Sequence, residues 1–354
     1  MSSDSGQRGL NRRTLLAGAG AIAATTVTGV AAGANPAAAA GWWGYSNLVQ
    51  AVTDGSWIYE LANLPSLGNV YVANPWTDTS SRTPRHRVVV VDAEARRVKG
   101  EIDLGEGSAF GLAANHETNI VYAGDQVFTR KVYAIDGRTN RVIGSTEVDG
   151  GEPRGLAVNP NTNKLYVTLT NQGKVAVLDG ASLTVEAVVE IGSIEPAKVA
   201  VNPVTNKVYV SNANRRGTDS SVTVIDGATN AITATIPVDR YALGISVNPV
   251  TNKIYVSNYT SETLTVIDGA SNGIVGKAYV GGSPTGVEVN PATNKIYVTI
   301  FEGKGAVTVV DSNTQQVRRL RVRPAALGIT VNPRSGRVYS SSQTEGSVFL
   351  VDES

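Results

Sequence analysis

Short runs of β-branched and apolar residues alternate with turn-forming residues along most of this chain. One unit, between Gly155 and Ile191, contains four such runs in order: GLAVNP, KLYVTL, VAVLDG and VEAVVEI. Asn-Pro, Asn-Lys and Asp-Gly breakers separate the runs, and this pattern is typical of short strands joined by tight turns. No helical periodicity is sustained after about residue 40. The pattern therefore predicts an all-β protein with four strands in each unit.

The unit repeats along the chain. A complete copy is Val247–Asn272, which reads VNPVTNKIYVSNYTSETLTVIDGASN. Two positions fix the register of the copies: an anchor tyrosine at Tyr71, Tyr122, Tyr166, Tyr209, Tyr255, Tyr297 and Tyr339, and an aspartate at Asp92, Asp136, Asp179, Asp226, Asp268, Asp311 and Asp352. Seven tyrosines spaced 42 to 51 residues apart match the length of a propeller blade. We therefore predict a seven-bladed β-propeller of four-stranded antiparallel blades.

The turns of the repeat have their own chemistry. The N-P-x-T-N turn supplies a proline that fixes φ and asparagines that tolerate the left-handed region. The aspartate of each D-G turn is expected to accept hydrogen bonds from the backbone that follows it. Because most units carry these residues, we interpret them as structural.

These motifs also carry a family resemblance. VNPVTNKVYVSN (Val201–Asn212), VNPVTNKIYVSN (Val247–Asn258) and VNPATNKIYVT (Val289–Thr299), each followed by a TVIDGAT-like strand, resemble the repeat of the YVTN-family β-propellers. That group is related to surface-layer propellers and YncE-like proteins, and the resemblance covers residues 57 to 354. It implies the propeller fold and leaves the function open.

Ring closure can also be predicted. The last unit contains only three strand-like runs, GITVNP, RVYSSS and SVFLVD. A further run, Asn47–Thr53, precedes the first unit. We expect this N-terminal strand to complete the last blade, because closure removes exposed sheet edges.

The first forty residues differ from the repeat region. Asn11–Leu16 (NRRTLL) is followed by a weakly apolar run rich in alanine, glycine and threonine, then by Pro36 and four alanines. This segment resembles a twin-arginine (Tat) export signal with a small-residue cleavage site. We therefore expect a cleaved signal at 1–40, a propeller domain at 41–354 and a secreted product. A membrane anchor is the alternative, although threonines and a glycine interrupt the apolar run.

Composition limits the partners. The chain has 31 basic and 30 acidic residues, and removing three arginines and one aspartate with the signal changes the net charge from +1 to −1. Nucleic-acid binding is therefore not expected, because it requires a basic surface. The absence of cysteine excludes disulfides and thiolate sites. We expect a monomer without a membrane span after signal cleavage.

Functional residues are expected where the repeat varies. The loop between the second and third strands and the connection to the next blade lie at one end of the ring, here called the upper end. The Asn-Pro and Asp-Gly turns lie at the other, lower end. The upper loops vary in this sequence and the lower turns are uniform. Variable loops on a rigid scaffold usually carry binding residues, so we expect the site at the upper end.

Three charged residues interrupt the small residues of the innermost strands. Most units have glycine or alanine at two positions near the axis, but Glu60, Lys198 and Glu288 stand there instead. Charge is unfavourable in such a crowded place unless it is paired or hydrated. Two-residue spacing keeps side chains on one face, so we expect all three near the channel. Two interpretations follow. In the structural one, Lys198 forms a salt bridge with a nearby carboxylate in a hydrated channel. In the functional one, the three residues form a polar cup for a ligand or an acid–base pair, and they are candidate catalytic residues.

Candidate ligand-binding residues surround this mouth. The loops between blades contribute Trp57, Tyr59, Phe110, Arg154 and Tyr241. An insertion at residues 74–87 adds Trp76, Arg85 and His86, and we interpret it as a lid, an anion clamp or a solvated loop. Converging aromatic and charged side chains suit a small molecule that is partly polar and partly apolar.

Catalytic and metal signatures are sparse. The chain has only two histidines, which excludes a histidine-rich metal centre. No cofactor is evident, and a divalent cation bound by carboxylates is left open.

Two functional hypotheses follow. The first is a secreted propeller that binds a small molecule, glycan or protein on its variable upper face. The alternative is a secreted enzyme, such as a lyase, cyclase or lactonase-like protein, that uses acid–base residues at the channel mouth. An enzyme predicts a closed-bottom pocket with a carboxylate of perturbed pKa, whereas a protein-binding propeller predicts a flatter rim.

Overall fold

The computed structural model describes the backbone of residues 47–51, together with residues 57–75, 87–148, 150–192, 195–214, 219–303, 305–351 and 353. These residues form seven separate four-stranded antiparallel sheets. The prediction of a seven-bladed all-β propeller is confirmed. The predicted signal at 1–40 lies outside the described residues. Within them we find no helix long and apolar enough to cross a membrane.

The strands follow one another in sequence order within each blade. The chain enters through β1 (Asn47–Ala51). Blade 1 contains β2 (Leu61–Leu64), β3 (Asn69–Asn74), β4 (Arg87–Asp92) and β5 (Arg97–Asp103). Blade 2 contains β6 (Gly111–Asn115), β7 (Ile120–Gly124), β8 (Lys131–Asp136) and β9 (Arg141–Glu147). Blade 3 contains β10 (Pro153–Asn159), β11 (Lys164–Leu169), β12 (Lys174–Asp179) and β13 (Val185–Glu190).

The remaining blades have the same order. Blade 4 contains β14 (Pro196–Asn202), β15 (Lys207–Asn212), β16 (Ser220–Asp226) and β17 (Ile232–Val238). Blade 5 contains β18 (Ala242–Asn248), β19 (Lys253–Asn258), β20 (Thr263–Asp268) and β21 (Ile274–Tyr279). Blade 6 contains β22 (Pro284–Asn290), β23 (Lys295–Ile300), β24 (Ala306–Asp311) and β25 (Val317–Arg321). Blade 7 contains β26 (Ala326–Val331), β27 (Val338–Ser342) and β28 (Ser347–Val351).

Blade 7 takes its fourth strand from the N-terminal side of the chain. β1 pairs antiparallel with β28, from Asn47 opposite Leu350 to Ala51 opposite Ser347. The predicted closure by an N-terminal strand is therefore confirmed. It joins the two ends of the repeat region through backbone hydrogen bonds and covers the outer edge of β28.

The hydrophobic core is divided among the interfaces between adjacent blades. The seven anchor tyrosines are almost fully buried in these clusters, each at no more than 1% exposure. Tyr122 of blade 2, for example, packs with Leu165 of blade 3, and its hydroxyl donates to the Gly180 carbonyl at 2.8 Å. Each anchor tyrosine thus adds apolar contacts with the next blade, as expected when neighbouring repeats stabilise one another.

The lower turns have the predicted chemistry. Asp268 Oδ1 accepts the backbone N–H groups of Ala270 at 3.1 Å and Ser271 at 2.8 Å. Asn252 adopts a left-handed φ of 52°. Asn248 Nδ2 donates to Asn294 Oδ1 of the next blade at 3.0 Å. The turn residues are structural, as predicted, and they also link neighbouring blades.

In blades 3 to 7, the innermost strand contains a bulge that a hydroxyl group from the second strand fills. The pairing register shifts there in all five blades. In blade 5, Ser257 Oγ accepts the Gly244 N–H at 2.9 Å and donates to the Thr285 carbonyl of blade 6 at 2.7 Å. The equivalent hydroxyls belong to Thr168, Ser211, Thr299 and Ser341. In blades 1 and 2, Ala73 and Gly124 occupy this position and offer no side-chain hydroxyl.

Close approach of the blades explains the small residues near the axis. A Cβ added at Gly111 would lie 1.9 Å from the Arg154 carbonyl oxygen, and one added at Gly244 would lie 2.2 Å from the Thr285 carbonyl oxygen. Crowding near the axis therefore arises from the backbone of the next innermost strand. Glu60 and Lys198 occupy the same position in blades 1 and 4.

Candidate functional site

The central channel contains three successive cavities. The upper cup, of about 420 Å³, opens among the variable loops and receives residues from all seven blades. The inner chamber, of about 120 Å³, lies beneath it and shares Glu60 and Lys198 with it. The lower cavity, of about 250 Å³, opens among the Asn-Pro turns and shares Glu288 with the inner chamber.

Aromatic side chains line the upper cup. Tyr59 and Phe110 contact each other with ring centroids 5.1 Å apart and tilted by 56°. Tyr241 and Tyr259 form a T-shaped pair, also with centroids 5.1 Å apart. Phe301 adds a fifth ring. Such packing fixes ring orientation, so these faces are organised before a ligand arrives.

The backbone holds Tyr241 in an unusual conformation. Its φ is 62°, which is uncommon for an aromatic residue. Its N–H donates to Ser220 Oγ at 2.8 Å, and its carbonyl accepts the Tyr259 N–H at 2.9 Å. Strained residues held by surrounding contacts are often found at binding sites.

An ion pair forms the floor of the cup. Lys198 Nζ lies 2.7 Å from Glu60 Oε1 and 2.5 Å from Glu60 Oε2. Because blades 1 and 4 stand on opposite sides of a seven-membered ring, the pair crosses the channel. The side chains are 28% and 21% exposed, so solvent reaches both. The salt bridge that the sequence predicts for Lys198 is therefore formed with Glu60.

Glu288 lies below this pair. It is half-buried and lines the inner chamber and the lower cavity, and the described lining of the upper cup does not include it. Ser246 Oγ donates to Glu288 Oε2 at 3.4 Å. Burial raises the pKa of Glu288 from its ordinary 4.5 to about 7; the Glu60 carboxylate adds to this shift and Lys198 opposes it.

The other predicted residues divide into three groups. Tyr59, Phe110, Arg154 and Tyr241 line the upper cup. Trp57 is 40% exposed and is not among the described residues that line the cup. The candidates of the insertion, Trp76, Arg85 and His86, lie outside the described residues.

Sequence reasoning missed most of the cup wall. Many cup residues fall at two repeat positions, twelve residues before and four residues after the anchor tyrosine. The first position adds Leu243, Thr285 and Leu327 to the predicted Tyr59, Phe110 and Arg154; the second contributes Gln126, Tyr259, Phe301 and Gln343. Both positions vary between units while their neighbours are uniform, and this was the signal that could have identified them.

The cavities offer little for a metal ion. Within the described part of the chain, no group of three or more histidine, cysteine, aspartate or glutamate residues is arranged to hold one. Glu60 and Glu288 are the carboxylates that line the three cavities there, and Glu60 is already paired with Lys198.

Comparison with known proteins supports the fold alone. No protein-family model matches the chain, and no curated protein sequence matches it. Many solved structures are similar, including hydrazine synthase of Kuenenia stuttgartiensis, with a TM-score of 0.73 and 16% sequence identity. The match covers 85% of this chain and 97% of that one. An identity this low shows that the two chains share a propeller fold and gives no information about activity.

Proposed function

We propose that this protein binds a small molecule in the upper cup, and that the ligand carries an aromatic or sugar ring. The supporting observation is the ring of aromatic side chains from four blades around a cavity of about 420 Å³. Cavities of roughly 300–1,000 Å³ with apolar walls and a few polar groups are typical of small-molecule sites.

The polar groups of the cup define the rest of the ligand. Arg154, Gln126 and Gln343 lie on the wall, and the Lys198–Glu60 pair lies on the floor. These groups offer both donors and acceptors, which suit hydroxyl or carboxylate substituents. A sugar or a hydroxylated aromatic acid combines such substituents with a ring face that stacks on tyrosine or phenylalanine.

The shape of the cup favours a small ligand over a protein surface. Residues of all seven blades face a concave space, whereas a protein partner usually meets a flatter and larger patch. A glycan could enter through a terminal sugar only. The protein is thus proposed to act as a receptor for a compound that fits inside the ring.

Catalysis is the second candidate, and Glu288 is the observation that favours it. A carboxyl group whose pKa is about 7 suits general acid–base chemistry near neutral pH. Glu288 faces the inner chamber of about 120 Å³, so the reacting group of a ligand in the upper cup would have to pass the Lys198–Glu60 pair. Conversion of a bound compound that stops in Glu288→Gln would support this alternative.

Binding can be tested by saturation-transfer NMR with methyl glycosides and 4-hydroxybenzoate as probes. Tyr259→Ala and Phe301→Ala remove ring faces from the cup, and each is expected to weaken binding by about tenfold or more. The matched control is Tyr279→Ala, which removes a 49% exposed tyrosine on the outer strand β21. Equal binding by the wild type and all three variants would contradict a site in the cup.

We also propose that the chain is a YVTN-type, YncE-like propeller exported through the Tat pathway. The VNPxTNKxYV repeats and the Asn11–Leu16 motif support this proposal. A reporter fused to residues 1–46 should be exported and cleaved near Gly41. Replacing Arg12 and Arg13 with lysine should block export, while a reporter that stays in the membrane fraction would favour the anchor.

A further inference from the structure

The lower cavity is separate from the proposed ligand cup. The two share no lining residue in the described part of the chain, and the Lys198–Glu60 pair lies between them. The opening of the lower cavity is lined by His116, Pro291 and Pro333. Each of them directly follows the asparagine of a lower turn. Its inner end is formed by Glu288.

The charge of Glu288 has no dedicated partner among the described residues. Its one hydrogen bond there comes from Ser246 Oγ at 3.4 Å, and that hydroxyl also accepts the Val289 N–H at 3.3 Å. The neighbouring charges, Lys198 and Glu60, bind each other through both carboxylate oxygens. An ionised carboxylate that is partly buried without a counter-charge in direct contact is unfavourable, so an added cation would stabilise it.

The wall of the lower cavity offers acceptors and, among the residues described, no lysine or arginine. His116 is exposed at the opening; partial desolvation there lowers the pKa of its imidazole, which disfavours the charged form, with Glu117 opposing the shift and Arg334 adding to it. Asn63 lines the cavity and is 7% exposed. Its Nδ2 donates to the Val331 carbonyl at 3.0 Å, while its Oδ1 has no partner in the structure described.

Apolar side chains form a smaller part of the wall, whose exposed surface is mostly polar. Leu112, Val247 and Ile329 line the space between the opening and the inner end. A cavity of about 250 Å³ with such walls is large enough for a cation that carries a short alkyl chain. A divalent metal ion fits less well, because it prefers several oxygen ligands and Glu288 is the one carboxylate that lines this cavity in the described structure.

We propose that the lower cavity is a second binding site, which takes a small organic ammonium ion with its charge against the Glu288 carboxylate and its short alkyl part against Leu112, Val247 and Ile329. The site does not depend on the proposed ligand of the cup. The proposal assigns a binding role to the lower end of the ring, whose repeated turns predict a structural role only.

Isothermal titration calorimetry at pH 8 tests the site with propylammonium chloride as the probe. Butan-1-ol, which has a similar size but no charge, and potassium chloride at equal ionic strength are the comparison solutes. The wild type should bind propylammonium at least tenfold more tightly than either one. The affinity should fall about tenfold between pH 8 and pH 6, because Glu288 takes up a proton across that range.

Two variants and one spectroscopic measurement complete the test. Glu288→Gln should lose at least tenfold in affinity, while Glu302→Gln, which alters an exposed carboxylate elsewhere, should bind like the wild type. The pH titration of Glu288 can be followed by NMR in wild-type protein with ¹³C-labelled glutamate carboxyls. Propylammonium should lower the midpoint of the titration that lies near pH 7, and potassium chloride should leave it unchanged. Three results would each overturn the proposal: the same propylammonium affinity in Glu288→Gln as in the wild type, the same midpoint shift with potassium chloride as with propylammonium, or a Glu288 midpoint that propylammonium does not move.

Discussion

One hydroxyl group in each of five blades links the innermost strand to the next blade. Ser257 shows the arrangement, since its Oγ accepts the Gly244 N–H and donates to the Thr285 carbonyl. The bulge removes that N–H from the strand ladder, and a buried N–H without a partner is unfavourable. The hydroxyl therefore permits a local backbone distortion and also connects blades 5 and 6.

Ser257→Ala should lower the free energy of unfolding by about 1–3 kcal/mol, because it leaves a buried N–H and a buried carbonyl without this partner. Chemical denaturation measures the change. Ser145→Ala is the matched control, since Ser145 is exposed on the outer strand β9. A loss below about 0.5 kcal/mol, the range of ordinary surface substitutions, would show that the hydroxyl is dispensable.

Glu288 should make stability depend on pH. Its pKa is raised from 4.5 to about 7 in the folded protein, so the folded state binds the proton more tightly than the unfolded state. Raising the pH from 4.5 to 7 should therefore reduce the free energy of unfolding, by about 2–3 kcal/mol from this group. Glu288→Gln should lack that decrease. Denaturation curves at pH 5 and pH 8 with the same pH dependence in both proteins would refute the assignment.

Individual site residues were only partly predictable. Charge at a position where other units have glycine or alanine identified Glu60, Lys198 and Glu288, because a departure from a repeat is visible in one sequence. Which of them pair depends on where blades 1 and 4 stand around the ring. Tyr259 and Phe301 were missed because aromatic residues at a variable loop position look like ordinary loop residues until the blades are superposed.

The strand β1 has a different role from the strands inside the repeats. It is separated by most of the chain from β28, yet the two pair over Asn47–Ala51. Without it, β28 would present an unpaired edge, which is a template for association with other chains. The same closure brings blade 7 against blade 1, where Tyr339 packs with Val70 and Val89.

Deleting residues 1–53 should therefore destabilise the ring and promote association, compared with a chain that begins at Gly41 and retains β1. Thermal unfolding should show a lower midpoint for the shorter chain, and size-exclusion chromatography should show oligomers or aggregates. Equal midpoints and monomeric elution for both chains would mean that the pairing of β1 with β28 adds little to stability.

The blades were predictable because their signals are local and repeated. Each turn carries its own proline, asparagine or aspartate, and each strand has a β-branched run, so seven copies support one another. The upper cup has no such redundancy, because each blade contributes different side chains to it. The bulges of blades 3 to 7 were also not foreseen, although serine or threonine two residues after the anchor tyrosine accompanies each one.

In the complete ring, the lower turns and the upper cup lie at opposite ends of the axis. Anchor tyrosines and lower turns hold adjacent blades together, and the variable loops surround an aromatic cup. The Lys198–Glu60 pair crosses the channel between the cup and the cavities below. This arrangement suits a rigid receptor, since the walls are fixed by blade packing before any ligand binds.

Affinity capture followed by mass spectrometry tests this role most directly. Protein from Gly41 onward is incubated with an extract of the growth medium of its native host, and the retained compounds are identified. We predict that the wild type and Tyr279→Ala retain a ring-containing compound unchanged, and that a Tyr259→Ala, Phe301→Ala double variant does not. Retention of the same compounds by all three proteins, or of none by the wild type, would contradict a receptor site in the upper cup.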